Sequence, residues 1–469
     1  MSQNRSYSLD VEISQVYLDR MLHFIRFYYL RQQPENFKNI RQTGQGLFFT
    51  ATDDTGFWSA DFFLKSSSPI QVEVEASPST PENLLDEVRE DLLLVVKIYE
   101  EQVTRSTLYF SWVEGEDIIP EEPPTLRRRL SIRMLTSNML LIYILFFSIM
   151  VILFLLFGVY GVFAFIFIQF CIVLLSDKIF KRTGHWRITQ KNPYVHIVQY
   201  NLSNGEFGEF QEKFSKTMIL NMKSEIYKRS LALGMEPTCE LGEEVFESYG
   251  MKCNPLYKSS KVVDVYSIVK TAVDRFGLPM PTIVISNNMV PNAAATGPSP
   301  KRGVVLITTG LLVHLEDDEI LSVIGHELGH LQGRDPLILF GIIVGEFILR
   351  LTVLLPVVVL SPFLYIFIVI WSIYFVAKFF EARADLVSAM KIGQPEVLAE
   401  SLRKIGYARL AYERKPSSRI PSWLRLDTHP PLYFRIDRLE RLKDPVKIKN
   451  PLLTSIKDVF MGFKSAFGL

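Results

Sequence analysis

Cysteine is scarce: Cys171, Cys239 and Cys253 are the only three in 469 residues, and none stands in C-x-x-C spacing. That leaves no disulfide framework to staple the fold and points to catalytic parts in a reducing compartment. An excess of either charge is also lacking. Lys and Arg number 51 against 50 Asp and Glu, a net charge of +1. No global field attracts nucleic acid or an acidic substrate, so nucleic acid is not an expected partner. The first ten residues, Met1 to Asp10, contain no apolar core and are not expected to be a signal peptide. Histidine, too, is sparse, with seven in the chain.

Apolar residues are abundant and clustered. From Met139 to Leu175 no charged residue occurs. As helix that run is roughly 55 Å long, nearly twice a hydrocarbon core of about 30 Å. It reads as two spans folding back near Gly158–Gly161. Arg127, Arg128, Arg129 and Arg133 flank it on one side, and Lys178, Lys181 and Arg182 on the other. Both ends are therefore expected in the cytoplasm. A second apolar run, Pro336 to Ala377, is long enough for two more spans with a break at Leu360-Ser361-Pro362. Glu346 and Arg350 lie inside it, four residues apart. They are expected to pair or to face a wet cavity, because an unpaired charge in lipid is costly.

Three histidines lie outside any ligand spacing. His23 reads as a core residue, and His185 and His196 as structural. Between the apolar runs stands Ser322-Val-Ile-Gly-His326-Glu327-Leu-Gly-His330-Leu-Gln-Gly-Arg-Asp335. Positions 326 and 330 share one face of a helix, where two imidazoles can hold one Zn²⁺. Glu327 can reach a metal-bound water. Glu316 to Glu319 mark an acidic helix start, and Leu321, Ile324, Leu328 and Leu331 recur at helical spacing. The missing ligand is best supplied by Glu381 in Phe-Phe-Glu381-Ala-Arg-Ala-Asp385, with Asp385 on the same face. Glu381 must return to the histidines, so the second apolar run crosses an even number of times or re-enters. With the first hairpin this gives four spans.

The ordered pieces Asn292-Ala-Ala-Ala-Thr-Gly297, Gly303 to Gly310, His326-Glu-Leu-Gly-His330, Glu381-Ala-Arg-Ala-Asp385 and His429-Pro-Pro with Arg435 resemble the HtpX-like membrane zinc metalloproteases. That group is related to the type I CAAX prenyl proteases. The resemblance covers roughly residues 260–440. It implies one zinc per chain on His326, His330 and Glu381, with Glu327 as catalytic base and acid and Asp385 orienting a histidine. It also implies that His429 and Arg435 contact the substrate or the transition-state oxygen. The segment at Asn292 would form a sheet edge that holds an extended peptide. Ala294 stands where the family often has an aromatic residue.

The expected organisation is a soluble α+β domain over residues 1–113, with strands Gly46–Thr50, Trp58–Leu64, Ile70–Val74 and Thr107–Val113 and helices Val11–Leu30 and Pro81–Glu101. A linker (114–133) leads to transmembrane hairpin 1 (134–180). The metalloprotease domain occupies 181–335 and, after hairpin 2 (336–379), residues 380–469. Phe207 to Leu233 reads as one amphipathic helix, and Ser455 to Leu469 as an interfacial one. The fold class is a mainly α-helical integral membrane protein carrying a zincin-type domain with a small β-sheet. The expected function is cleavage of peptide bonds in membrane proteins at the cytoplasmic face of the cell membrane, in quality control. A prenyl-protein endopeptidase and a non-catalytic membrane scaffold are the alternatives.

Overall fold

In the computed structural model the residues described are 3–9, 17–53, 57–67, 69–104, 107–118, 139–202, 204–250, 255, 257–413, 416–445 and 448–468. The chain is mainly helical, with small sheets, and divides into two compact units. The first comprises Met1–Tyr109, Gln199–Lys213 and Gly242–Ser259. The first segment, expected to run to residue 113 at the end of β6 (Thr107–Val113), instead ends at Tyr109, inside that strand, and two later segments join the unit.

That unit is built on five antiparallel strands in the order β1-β5-β4-β3-β2. These are β1 (Gln3–Leu9), β2 (Phe37–Thr43), β3 (Gly46–Thr52), β4 (Ser59–Lys65) and β5 (Ile70–Ala76). β5 alternates buried and exposed along its whole length, as a half-covered sheet requires. Leu18 and Met21 of α1 (Leu18–Phe24) and Leu92 and Val96 of α2 (Glu82–Thr104) bury against Phe49, Phe62 and Val72. Two strands escaped the sequence reading. β1 is mostly polar. β2 carries Asn39 at φ 55° and a register shift between Lys38 and Arg41, so its alternation is broken. The helix expected over Val11–Leu30 begins, among described residues, near Leu18; it widens into a π turn at Ile25–Tyr29, and residues 11–16 lie outside the described residues. His23 is a correction: it is exposed, its ring tilted against Phe27 with centroids 4.4 Å apart, not in the core.

The second unit holds the apolar helices and the histidine motif. Residues 119–138, most of the expected linker and its arginines, lie outside the described residues. The helices α3 (Met139–Phe157) and α4 (Val159–Leu174) fold back at Gly158, whose φ of 57° favours glycine. After α5 (Ser176–Lys181) comes a sheet in the order β11-β12-β10-β7. Its strands are β7 (Trp186–Ile188), β10 (Thr282–Ser286), β11 (Ala293–Thr296) and β12 (Val304–Thr308). β10 and β12 are parallel, and β11 runs antiparallel on the edge. A second sheet, β6-β8-β9, uses β8 (Tyr194–Asn201) and β9 (Tyr257–Asp264). The helix expected from Phe207 to Leu233 is two, Asn204–Lys213, which belongs to the first unit, and Lys216–Arg229, because Ser215 caps the second by accepting from the Met218 N–H.

α6 (Val265–Phe276) packs on α7 (Asp317–Gly333), the helix of the histidine motif, which lies against β11. α7 starts on a capping box between Glu316 and Glu319. Arg334, left-handed at φ 54°, ends it, and α8 (Asp335–Thr352) departs at once with a proline in its first turn. A break at Ser361 precedes α9 (Pro362–Ile392). The chain closes with α10 (Pro395–Glu413), α11 (Leu432–Glu440) and α12 (Pro451–Ala466). α9 is long and apolar enough to cross a membrane, by length and composition; Ser148–Phe157 and Tyr160–Leu174 are shorter apolar stretches. Within α8 Glu346 pairs with Arg350 at 3.1 Å and accepts the Tyr365 hydroxyl of α9 at 2.6 Å, so the two charges satisfy each other.

The contact between α7 and α9 fixes the site. It depends on Gly325 and Gly329, one turn apart on α7. A Cβ on Gly329 would lie 3.2 Å from Ala384 Cα and 3.3 Å from its carbonyl oxygen, and one on Gly325 would lie 2.6 Å from the Ile392 and Ser388 side chains. The flat glycine face lets the helices approach, and Ser388 Oγ donates to the Ser322 carbonyl at 2.9 Å. Gly329→Val should therefore push the helices apart and destabilise the protein by about 1–3 kcal/mol. Thermal melting checks this, and an unchanged midpoint would contradict close packing at Gly329.

Candidate metal centre

Helix α7 sets His326 and His330 one turn apart with both rings turned to one point. Their Nε2 atoms are 3.1 Å from each other. Glu381, from α9, places Oε2 3.5 Å from His326 Nε2 and Oε1 3.5 Å from His330 Nε2. The three ligand atoms lie within 4.8 Å of one another, the one such group among the described residues. Ligand atoms of a tetrahedral zinc with bonds of about 2.0–2.1 Å are about 3.3 Å apart. Glu381 Oε2 is buried and has no hydrogen-bond donor. A buried carboxylate oxygen beside two converging ring nitrogens is the donor set of a divalent cation, so these residues fit zinc.

The opposite ring nitrogens lie close to carboxylates. His326 Nδ1 lies 2.8 Å from Asp385 Oδ1, and His330 Nδ1 lies 2.7 Å from Asp335 Oδ2. Each carboxylate is gripped by an arginine. Arg435 donates to both oxygens of Asp385, at 2.8 and 2.7 Å; Arg383 donates to Asp335 at 2.8 Å and to the Gly329 carbonyl at 2.9 Å. Two Arg–Asp–His chains thus fix both rings with Nε2 inward. The second was not foreseen. Asp335 follows His330 by five residues, off the shared face of a helix, and reaches it because Arg334 breaks the helix. Arg435, expected at the substrate, is buried with its Nε and Nη2 taken up by Asp385; the structure places it in the support of His326.

His429 closes the other side. Its Nε2 is 3.4 Å from Glu381 Oε2, and its Nδ1 is 3.1 Å from Asp427 Oδ1. Asp427 also accepts the His429 backbone N–H at 3.0 Å and the Arg409 guanidinium at 2.8 Å. Burial opposes its charge, but His429 and Arg409 outweigh that and hold the carboxyl well below the usual range. Lys378, buried one turn before Glu381, donates to the Asp427 carbonyl and so fastens this loop to α9. Sequence reading missed both Asp427 and Lys378; a lone Asp two residues before a loop histidine carries little signal.

Glu327 turns its carboxylate to the edge strand, where Oε2 accepts the Ala295 N–H at 2.8 Å. Asn292 stands just before β11. Its N–H donates to Thr308 Oγ1 at 2.9 Å and its carbonyl accepts the Thr308 N–H at 3.0 Å, so its backbone serves the sheet. His185 accepts the Asn287 N–H through Nδ1, His196 is buried, and neither belongs to the metal group.

Burial alone would push the His326 imidazole down, but Asp385 and Glu381 outweigh it and raise it to about 10. Below that pH a metal must displace its proton. In the metal-free protein the raised value stabilises the fold fully below about 6.5, the ordinary value, and that contribution is lost as pH rises through about 10. Zinc binding at pH 8 is therefore expected to release about one proton from His326 and to tighten as pH rises. Calorimetry in buffers of differing ionisation heat measures this, and binding without proton release would contradict it. A second expectation concerns the unforeseen chain: Asp335→Asn should weaken zinc binding about 10–100-fold, read by competition with a chelator. Unaltered affinity would remove Asp335 from the site.

The profile of "Peptidase family M48" matches residues 259–443. A "Protease HtpX homolog" of Gemmatimonas aurantiaca is 30% identical over 239 residues, covering 42% of this chain and 81% of the relative. One of Paenarthrobacter aurescens is 32% identical over 211 residues, covering 38% and 72%. One of Thermodesulfovibrio yellowstonii is 43% identical over 94 residues, but that match spans only 20% of this chain and 32% of the relative. The paired histidines, the returning glutamate and these similarities agree: the chain belongs to the HtpX-like group of peptidase family M48.

Proposed function

We propose that this chain is an integral-membrane zinc endopeptidase that hydrolyses peptide bonds at the cytoplasmic membrane surface. The observation that carries the reading is the convergence of His326, His330 and Glu381 with Glu327 alongside. Zinc, when bound, supplies Lewis-acid polarisation of a carbonyl and a water of lowered pKa.

The chain's own residues do the rest. Glu327 accepts the proton of the attacking water and later delivers it to the leaving amine. Its bond from Ala295 N–H keeps the carboxylate aimed at the site between these events. His429, backed by Asp427, presents Nε2 where charge develops on the carbonyl oxygen. The edge strand β11 supplies the substrate cradle. In an antiparallel ladder successive residues face alternately toward and away from the partner. Asn292 faces β12 through Thr308, and Ala294 repeats that orientation. Ala293, and Ala295 through its carbonyl, therefore turn backbone groups outward, where an extended peptide adds as a further strand, while the Ala295 N–H stays with Glu327.

Membrane insertion rests on the apolar helices. Leu155, Tyr160, Leu360 and Phe363 are 77–88% exposed, a surface suited to lipid and not to water. Four crossings, α3, α4, α8 and α9, return Glu381 to the side of His326. Lys178, Lys181 and Arg182, just after α4, favour that side being cytoplasmic. Membrane proteins, damaged or misassembled, are the proposed substrates. Glu327→Gln should keep zinc while cleavage of a reporter membrane protein in vesicles falls about 10²–10⁴-fold. Full activity with zinc retained would remove Glu327 from the mechanism.

A further inference from the structure

Helix α4 ends at Leu174, and Leu175, at φ −103° and ψ 9°, leaves the helical conformation before α5 resumes at Ser176. The two helices flank a groove of about 630 Å³ in the bend between them. Along α4 it is lined by Phe167, Cys171 and Leu175, one stripe at four-residue spacing, and Ile179 of α5 closes the apolar part. Phe167, Leu175 and Ile179 are 66%, 43% and 46% exposed. At the far end stand Lys178 and Arg182, one turn apart and both exposed. Neither makes a side-chain ion pair or hydrogen bond among the described residues.

The bend is fixed in place. Arg302, from the turn between β11 and β12, donates to Asp177 at 2.6 and 3.4 Å and to the Leu174 carbonyl at 2.9 Å. Asp177 is buried. Asp177 is thereby taken up by Arg302. The result is a preformed apolar slot ending in two positive charges with no acidic partner among the described residues. It lies where a membrane helix meets the cytoplasmic surface.

We propose that this elbow binds a glycerophospholipid with an anionic headgroup. One acyl chain lies along Phe167, Cys171 and Leu175, and the headgroup is held by Lys178 and Arg182. The proposal rests on the membrane reading above and goes beyond it by naming a lipid class and its contacts. Basic side chains near the lipid surface each add about a factor of five in affinity for an anionic lipid, so removing two and reversing their sign costs at least about thirtyfold.

The test uses the full chain in phosphatidylcholine vesicles with and without phosphatidylglycerol. After gentle detergent extraction, mass spectrometry counts the lipid kept per chain. About one phosphatidylglycerol should be retained, in preference to phosphatidylcholine, and the Lys178→Glu/Arg182→Glu variant should lose it. Lys216→Glu/Lys228→Glu, the same charge change on exposed sites of another helix, should keep it. Cys171→Phe, which fills the slot and leaves the charges, should also lose it. Equal retention by the Lys178→Glu/Arg182→Glu variant, or equal retention of phosphatidylcholine, overturns the lipid site while leaving the membrane reading intact. A chain that does not float with vesicles overturns the membrane reading itself.

Discussion

Two imidazole nitrogens, 3.1 Å apart and facing each other, meet a carboxylate that no donor satisfies. Nδ1 of each ring lies against an aspartate, so once a metal has displaced the His326 proton both Nε2 atoms turn lone pairs to the same point. Lone pairs and a buried anion repel unless a cation lies between them. The rest of the structure around α7 serves that constraint. The Arg435–Asp385 and Arg383–Asp335 pairs fix the rings, and Gly325 and Gly329 bring α9 close enough for Glu381 to arrive.

The same helix contact joins chemistry to topology. α9 carries Glu381, Arg383 and Asp385 on the stretch that emerges from its apolar half, and Lys378 one turn earlier fastens the loop of His429. A single rigid helix therefore delivers a ligand, both supporting partners and the anchor of the opposite wall. Its apolar beginning is long enough to cross a membrane, and Arg302 ties the edge-strand turn to the end of the first apolar hairpin. Site and apolar helices are continuous in packing within the second unit.

Much of the site was legible because its signals are local. His326, Glu327 and His330 lie within one helical turn, as do Glu381 and Asp385, and helical periodicity converts such spacing directly into a shared face. What escaped depends on departures from periodicity. Asp335, five residues from His330, would point about 140° away on a continuous helix; a left-handed Arg334 returns it. Arg435 was legible as a residue near the site, but its work behind Asp385 is a tertiary fact. β2 was hidden by its bulge, and the helix from Phe207 to Leu233 was read through the cap at Ser215. The limits of the first unit are set by strands and helices far apart in sequence, which composition does not reveal.

The most direct test is metal content with zinc-edge X-ray absorption on the purified full chain and its Glu381→Ala variant. The account predicts one zinc per chain in a shell of nitrogen and oxygen, with outer scattering from two imidazoles. In the variant it predicts one protein oxygen fewer and much weaker retention. A variant that holds zinc as tightly, in an unchanged shell, would contradict it.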